Sequence, residues 1–85
     1  MADLWFLYVV WCNDNTLYAG VTTDPERRLK EHNETSKGAK YTRSRRPVKD
    51  MVILGSFTDV GAALRAEKRF KKLSRREKIM HISEV

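Results

Sequence analysis

The chain has 85 residues, a length that supports one small hydrophobic core, so we expect a single domain spanning residues 1–85. Its 17 lysines and arginines exceed its 11 aspartates and glutamates, and the resulting net charge of +6 favours a polyanionic partner such as nucleic acid. One cysteine excludes an intramolecular disulfide, and no apolar run approaches the roughly 20 residues of a membrane span, so we expect a soluble cytoplasmic protein with no membrane partner.

The first segment has the pattern of a β-hairpin. Leu4–Trp11 is rich in aromatic and β-branched residues and is apolar on both faces, which predicts a central strand covered on both sides. Residues 12–15 have turn chemistry. Thr16–Val21 is therefore predicted to be the second strand of the hairpin.

Two tyrosines stand ten residues apart on these strands. A connecting loop of three or five residues places Tyr8 and Tyr18 on the same sheet face as diagonal neighbours. That register sets Tyr8 opposite Gly20 and Tyr18 opposite Val10. Tyrosines on strands are more often amphipathic core residues, so the pair alone does not establish a site.

The first helix is predicted from the capping-box spacing of Thr23 and Glu26 around Pro25, and it should run to about Asn33. The helix is polar nearly all round, with Leu29 as its one strong apolar anchor. We therefore expect it at the edge of the domain, with a polar face offered to a ligand.

Arg28 and His32 are four residues apart on that helix and share a face. The planar guanidinium of an arginine suits phosphate, because it donates two hydrogen bonds at once. His32 is either a general base or a surface histidine, and taken alone the surface interpretation is favoured.

Residues 36–46 are predicted to form a basic loop that Pro47 closes. Cations of such a loop neutralise phosphates without reading sequence, and a tyrosine can stack on a base. The candidate nucleic-acid-binding residues are Lys37, Lys40, Tyr41, Arg43, Arg45 and Arg46.

The rest of the chain predicts one more strand and two helices. Met51–Phe57 is the third strand, Thr58 or Asp59 caps a second helix over about Val60–Leu73, and a capping box begins a short third helix at residues 74–77 that ends near residue 82. The order β-β-α-β-α-α predicts an α+β fold, with helices packed on a small antiparallel three-stranded sheet.

Glu67 is an anomaly in the second of these helices. It falls inside the apolar stripe formed by Val60, Ala63, Leu64, Phe70 and Leu73. A carboxylate in that position must be paired, coordinate a metal or reach a cleft, because its burial alone costs several kcal/mol. The stripe by itself slightly favours a structural salt bridge.

The two tyrosine segments, Phe6-Leu7-Tyr8 and Tyr18-Ala19-Gly20, resemble the two halves of the GIY-YIG endonuclease signature. Arg28 stands eight residues after Gly20, where the family carries its arginine. The resemblance covers nearly the whole chain and is closest to the small stand-alone members, which are similar to the amino-terminal nuclease domain of UvrC.

The resemblance extends to two more positions. Glu67 lies on a later helix, like the metal-binding glutamate of the family, and His32 matches a position that is often histidine or tyrosine. Two features depart from the family pattern. Phe6-Leu7 replaces the leading Gly-Ile, and residues 21–23 lack the lysine that UvrC-like domains carry after the second half.

The resemblance implies a metal-dependent endonuclease that hydrolyses phosphodiester bonds in DNA, in preference to RNA, on repair or recombination structures. It implies that Glu67 binds Mg²⁺ or Mn²⁺ and that Arg28 steadies the phosphate. Tyr8 would accept the proton of water, Tyr18 would bind metal-bound water or orient Tyr8, and His32 would belong to the same catalytic group. A protein partner would supply substrate specificity.

Two other hypotheses remain open at this point. The missing lysine and the lack of a partner module favour a non-catalytic nucleic-acid-binding domain that keeps the fold. A basic RNA- or ribosome-associated protein without an active site is the third hypothesis, and it would leave Glu67 in a plain structural salt bridge.

Overall fold

A computed structural model describes residues 3–34 and 39–85. The strands pair antiparallel in the order β2-β1-β3, so β1 is central as predicted, and the expected α+β fold is confirmed. No helix in these residues is long and apolar enough to cross a membrane. The elements are β1 (Trp5–Trp11), β2 (Leu17–Thr22), α1 (Pro25–Glu34), α2 (Lys40–Arg43), β3 (Met51–Phe57), α3 (Val60–Lys71) and α4 (Arg75–Ser83).

Helices cover both faces of β1, which explains why the strand is apolar on both sides. Alternate residues of a strand point to opposite faces, and the core is accordingly divided into two clusters. One cluster contains Tyr8, Val10, Cys12 and Val48, with Leu29 of α1 packed against it. The other contains Val9, Ala19 and Phe70 of α3.

The hairpin register agrees with the prediction. Tyr8 pairs with Gly20 and Val10 pairs with Tyr18, and a five-residue loop connects the two strands at residues 12–16. The register brings the Tyr8 ring over Gly20, where a Cβ atom would lie only 2.5 Å from the Tyr8 hydroxyl oxygen. Gly20 is therefore required by the close approach of a buried phenol.

Helix α1 differs from the prediction in its cap and in its buried residue. Asp24, not Thr23, caps it, since the Asp24 carboxylate accepts the backbone N–H of Arg27 at 3.1 Å. Leu29 packs inward as expected, but the fully buried residue of the helix is His32. The helix is thus anchored by a polar side chain, and the surface interpretation of His32 is wrong.

The basic segment is not all loop, because α2 forms inside it. Thr42 of α2 is fully buried. Lys37 lies outside the described residues. The segment that follows α2 is attached to α1 at Val48. The Asn33 side chain accepts the backbone N–H of Val48 at 2.7 Å and donates to the carbonyl oxygen of Val48 at 3.3 Å, which joins the end of α1 to the segment before β3.

The capping predictions for the last two helices are confirmed. The Asp59 carboxylate accepts the backbone N–H groups of Gly61 and Ala62 in the first turn of α3. Ser74 and Glu77 form the capping box that begins α4.

The buried stripe of α3 is rotated from its predicted position. Ala63 and Phe70 are buried, but Val60 is exposed and Leu64 is 48% exposed. Glu67 remains on the inner side of the helix, with 20% of its side chain exposed. The helix therefore presents a carboxylate at the margin of the core.

The close approach of Tyr8 to Gly20 gives a testable prediction for stability. Gly20→Ala should lower the free energy of unfolding by about 1–3 kcal/mol, because the buried ring cannot move away cheaply. Gly55→Ala is the matched control on β3, since its Cβ would meet the Phe57 ring at an ordinary 3.5 Å. Urea denaturation measures both variants, and equal losses of stability would contradict the structural role of Gly20.

Candidate active site

The centre of the candidate site is a buried hydrogen bond between β1 and α1. The Tyr8 hydroxyl lies 2.7 Å from Nε2 of His32, and the two residues are only 1% and 0% exposed. Their rings meet edge to face with centroids 5.7 Å apart. The phenol is therefore fixed in position by a partner that the core also encloses.

Thr42 of α2 determines which nitrogen of His32 carries the proton. The Thr42 hydroxyl donates to the carbonyl oxygen of Ala39 at 2.9 Å. Its oxygen lies 2.8 Å from Nδ1 of His32 and must accept there, because its own proton is already used. Nδ1 is thus protonated and Nε2 accepts the proton of Tyr8.

Burial keeps this chain of groups uncharged. Burial, together with the charge of Arg28, lowers the pKa of His32 from 6.5 to about 4. Burial also raises the pKa of Tyr8 from 10.0 to about 12, although the Arg28 hydrogen bond opposes it. At neutral pH both side chains are neutral, as the hydrogen-bond directions require.

Arg28 joins the same group from the preceding turn of α1. Its Nε donates to the Tyr8 hydroxyl at 3.4 Å, and its Nη1 donates to Glu31 at 3.0 Å. Arg28 and His32 therefore reach Tyr8 from one helix face, as their spacing predicted.

Tyr18 is held beside His32 by residues of the basic segment. The Tyr18 ring meets the His32 ring edge to face at 5.5 Å and stacks on Tyr41 at 5.7 Å. Arg45 lies over the Tyr41 ring at 3.8 Å and forms a 3.0 Å ion pair with Asp14 in the hairpin loop. Tyr41 and Arg45 thus help to build the site from within the protein.

The other predicted nucleic-acid-binding residues differ in their surroundings. Arg46 donates to the backbone carbonyls of Glu31 and His32 at the end of α1. Lys40 and Arg43 are exposed.

Glu67 reaches this group from α3. Its carboxylate forms an ion pair with Lys71 at 3.3 Å, and the Lys71 ammonium lies 5.7 Å from the centre of the Tyr18 ring. The negative charge of Glu67 contributes to the raised pKa of Tyr8, so the carboxylate lies within electrostatic reach of the phenol. Glu67 is therefore linked to Tyr18 through the lysine of its salt bridge and to Tyr8 through its charge.

The residues present fit a divalent metal with one protein ligand. Within residues 3–34 and 39–85, no cluster of three or more histidine, cysteine, aspartate or glutamate side chains is assembled. Magnesium commonly binds through one or two carboxylates and fills its remaining positions with water and substrate phosphate. Glu67 suits that arrangement, provided that Lys71 releases it.

A cavity of about 390 Å³ elsewhere in the protein is apolar in character. Leu7, Leu54 and Phe70 contribute to its lining. None of the side chains grouped around Tyr8 lines it, so the candidate site is a polar cluster separate from this cavity.

Comparison with known proteins gives the family. Residues 4–80 match the GIY-YIG catalytic domain. The chain belongs to the GIY-YIG family. This GIY-YIG domain is 54% identical over 79 residues to a UPF0213 protein of Bacillus velezensis, covering 93% of this chain and 78% of the relative.

Two further proteins show the same relationship. YazA, a UPF0213 protein of Bacillus subtilis, is 49% identical to the GIY-YIG domain, with the same coverage of 93% and 78%. The solution NMR structure of a UPF0213 protein from Bacillus halodurans has a TM-score of 0.55 and 39% identity, covering 94% of this chain and 83% of that one. The resemblance seen in the sequence is confirmed, and it places the chain in a nuclease family whose domains act on DNA.

Sequence reasoning missed three residues of this site: Thr42, Lys71 and Glu31, the partner of Arg28 one turn along α1. Thr42 gave no signal, because a lone threonine in a basic segment does not indicate a buried partner for a distant histidine. Lys71 was detectable, since it follows Glu67 by four residues and such pairs meet on a helix surface.

Substitution of Thr42 tests the hydrogen-bond chain. Thr42→Val keeps the shape but leaves Nδ1–H of His32 without an acceptor, which should cost about 1–3 kcal/mol of stability. Thr42→Ser keeps the hydroxyl and should restore the chain. Denaturation measures the loss, and ¹⁵N chemical shifts of the ring report the tautomer; a wild-type ring protonated on Nε2 would refute the assignment.

The lowered pKa of His32 predicts a loss of stability in acid. The pKa of His32 is 6.5 in the unfolded protein and about 4 in the folded protein, so as the pH falls the unfolded state takes up a proton first. The stabilisation that is present above pH 6.5 is therefore lost as the pH falls to 4. The loss should be roughly 3 kcal/mol. NMR titration of the His32 ring checks it directly, and a midpoint near 6.5 would contradict the prediction.

Proposed function

We propose that this GIY-YIG domain is a metal-dependent endonuclease that hydrolyses phosphodiester bonds in DNA on repair or recombination structures, to which a protein partner directs it. One observation carries the proposal. Tyr8, His32 and Arg28 share a hydrogen-bond network, and the charge of Glu67 acts on the same phenol. A domain that only binds nucleic acid has no need of a carboxylate whose charge acts on the phenol that Arg28 contacts.

Tyr8 and His32 would remove the proton of the attacking water. The Tyr8 oxygen takes that proton while its own proton passes to Nε2 of His32. The O–H bonds of water and of Tyr8 break as a new Tyr8 O–H bond and an Nε2–H bond form. The 2.7 Å contact and the tautomer fixed by Thr42 support this transfer. Because the pKa of Tyr8 is about 12, a transfer without a free phenolate has the lower cost.

Arg28 would bind the phosphate as negative charge develops, exchanging its ion pair with Glu31 for the substrate. This exchange also affects His32. The charge of Arg28 is one cause of the lowered pKa of His32, and a bound phosphate offsets that charge. Substrate binding would therefore make His32 a better proton acceptor.

Glu67 would hold the divalent ion, Mg²⁺ or Mn²⁺, once Lys71 releases it. When bound, the ion would act as a Lewis acid and offset the charge of the leaving oxygen. Tyr18, packed between His32 and Tyr41, would keep the orientation of the group and hydrogen-bond to the water that attacks.

The basic segment would contact the DNA backbone beside the site. Lys40 and Arg43 are exposed on α2 and suit this role, and Lys37, outside the described residues, is proposed with them. For Tyr41, Arg45 and Arg46, contact with nucleic acid would be additional to the structural contacts that each makes.

A non-catalytic DNA-binding domain is the alternative function. Two observations favour it: the pKa of Tyr8 is raised to about 12 with no lysine at residues 21–23 to oppose it, and Lys71 holds Glu67. In this case the domain would bind DNA through its cations and leave it intact.

Glu67→Gln separates an enzyme from a binding domain. Cleavage of flapped, branched and nicked DNA in Mg²⁺ and in Mn²⁺ should fall at least a hundredfold, since metal stabilisation of a leaving oxygen is worth several kcal/mol and each ~1.4 kcal/mol is tenfold in rate. Stability should change by less than about 1 kcal/mol, because the ion pair with Lys71 is partly exposed. DNA affinity should be nearly unchanged, because cations supply it.

Glu26→Gln is the control, since Glu26 is exposed on α1. It should cleave like the wild type. If Glu67→Gln cleaved like the control, the catalytic assignment of Glu67 would be wrong. If the wild type bound these substrates and cleaved none of them in either metal, the alternative function would replace the proposal.

A further inference from the structure

The positive charge of the protein is concentrated at its last two helices. Eight of its 17 lysines and arginines lie within residues 65–78, together with only two glutamates. Six of these cations define what we call the α3–α4 basic surface: Lys68, Arg69, Lys72, Arg75, Arg76 and Lys78, all of them exposed except the half-buried Lys78.

The positive charges of this surface are not neutralised by ion pairs, because the neighbouring carboxylates have other partners. Glu67 pairs with Lys71, and the Glu77 carboxylate accepts the backbone N–H of Ser74 in the capping box. Arg65 pairs with Asp59. Across residues 3–34 and 39–85, none of the six cations forms a salt bridge.

Helix stability explains only part of the surface. Lys68 and Arg69 lie in the last turn of α3, where positive charge stabilises the helix dipole. Arg75 and Arg76 occupy the first turn of α4, where positive charge opposes the dipole. The Arg75 guanidinium lies 5.6 Å from the centre of the Trp11 ring, so the fold uses this charge despite the dipole. Among residues 3–34 and 39–85, Arg76 has neither an ion pair nor a ring contact, so its charge indicates an anionic partner.

The surface is continuous with the candidate site. Lys71 lies within the same run, 3.3 Å from Glu67 and over the Tyr18 ring. Lys68 and Lys72 flank it on the helix, and at about 1.5 Å of rise per residue the distance from Glu67 to Lys72 along the axis is about 7.5 Å. Because an α-helix turns about 100° per residue, Lys68 and Lys72 lie around the helix from Glu67, so a polyanion that reaches Glu67 meets them by following the surface of α3.

We propose that the α3–α4 basic surface binds the sugar–phosphate backbone of the nucleic acid on one side of the cleaved bond. The inference rests on the proposed function, and it adds a second contact region to the basic segment of residues 36–46. Lysine and arginine contacts to phosphate fix position without reading bases, so the binding is independent of sequence.

The test compares two matched double variants. Lys68→Gln with Lys72→Gln removes two charges from the surface, and Lys30→Gln with Lys49→Gln removes two exposed lysines from outside it. Affinity for a short DNA duplex is measured across a range of salt concentrations in EDTA, so that no cleavage interferes. The surface variant should flatten the log–log salt slope by about 1.8 and weaken binding roughly 60-fold at 0.1 M salt, while the control stays near the wild type.

Each contrary result has its own meaning. Equal salt slopes of DNA affinity for the two variants would overturn the inference. It would also be overturned if the surface variant kept the wild-type salt slope for DNA but no longer bound anionic phospholipid vesicles. A lowered melting temperature with an unchanged slope would assign the lysines to the helix dipole and also overturn it. A flattened slope in a protein that cleaves nothing in Mg²⁺ or Mn²⁺ would uphold the surface and reject the nuclease.

Discussion

Burial of the Tyr8 hydroxyl is the constraint on which the rest of the site depends. A buried phenol needs a hydrogen-bond partner, and His32 is that partner. His32 then needs one of its own, which Thr42 provides before the chain ends at a backbone carbonyl. Because these groups come from β1, α1 and α2, one hydrogen-bond chain joins the sheet to both helices.

Much of the fold could be predicted from the sequence because it follows from local rules. The apolar faces of β1 require cover on both sides, and the capping box at Ser74 marks the start of α4. The burial of His32 could not be predicted, since periodicity arguments count apolar side chains only. Helix α2 could not be predicted either, because its four residues are too few to show a periodic pattern. Contacts of Thr42 and Tyr41 with rings distant in the sequence hold it in place.

The candidate site was predictable where it depends on geometry within an element. Strand alternation placed the two tyrosines, and helical spacing brought Arg28 and His32 to one face. Charge was harder to interpret, because a sequence does not show which cations the protein uses internally. Arg45 finds its carboxylate 31 residues away in Asp14, which no local pattern indicates.

The same burial gives the proposed mechanism its dependence on substrate. A neutral Tyr8–His32 pair costs the folded protein little, whereas an unpaired buried charge costs several kcal/mol. The Tyr8–His32 pair therefore remains assembled and uncharged in the resting site, with the pKa values of the two groups far apart. A phosphate at Arg28 brings the negative charge that favours a protonated His32. Proton transfer from water would thus become feasible only when the bond to be broken is in place.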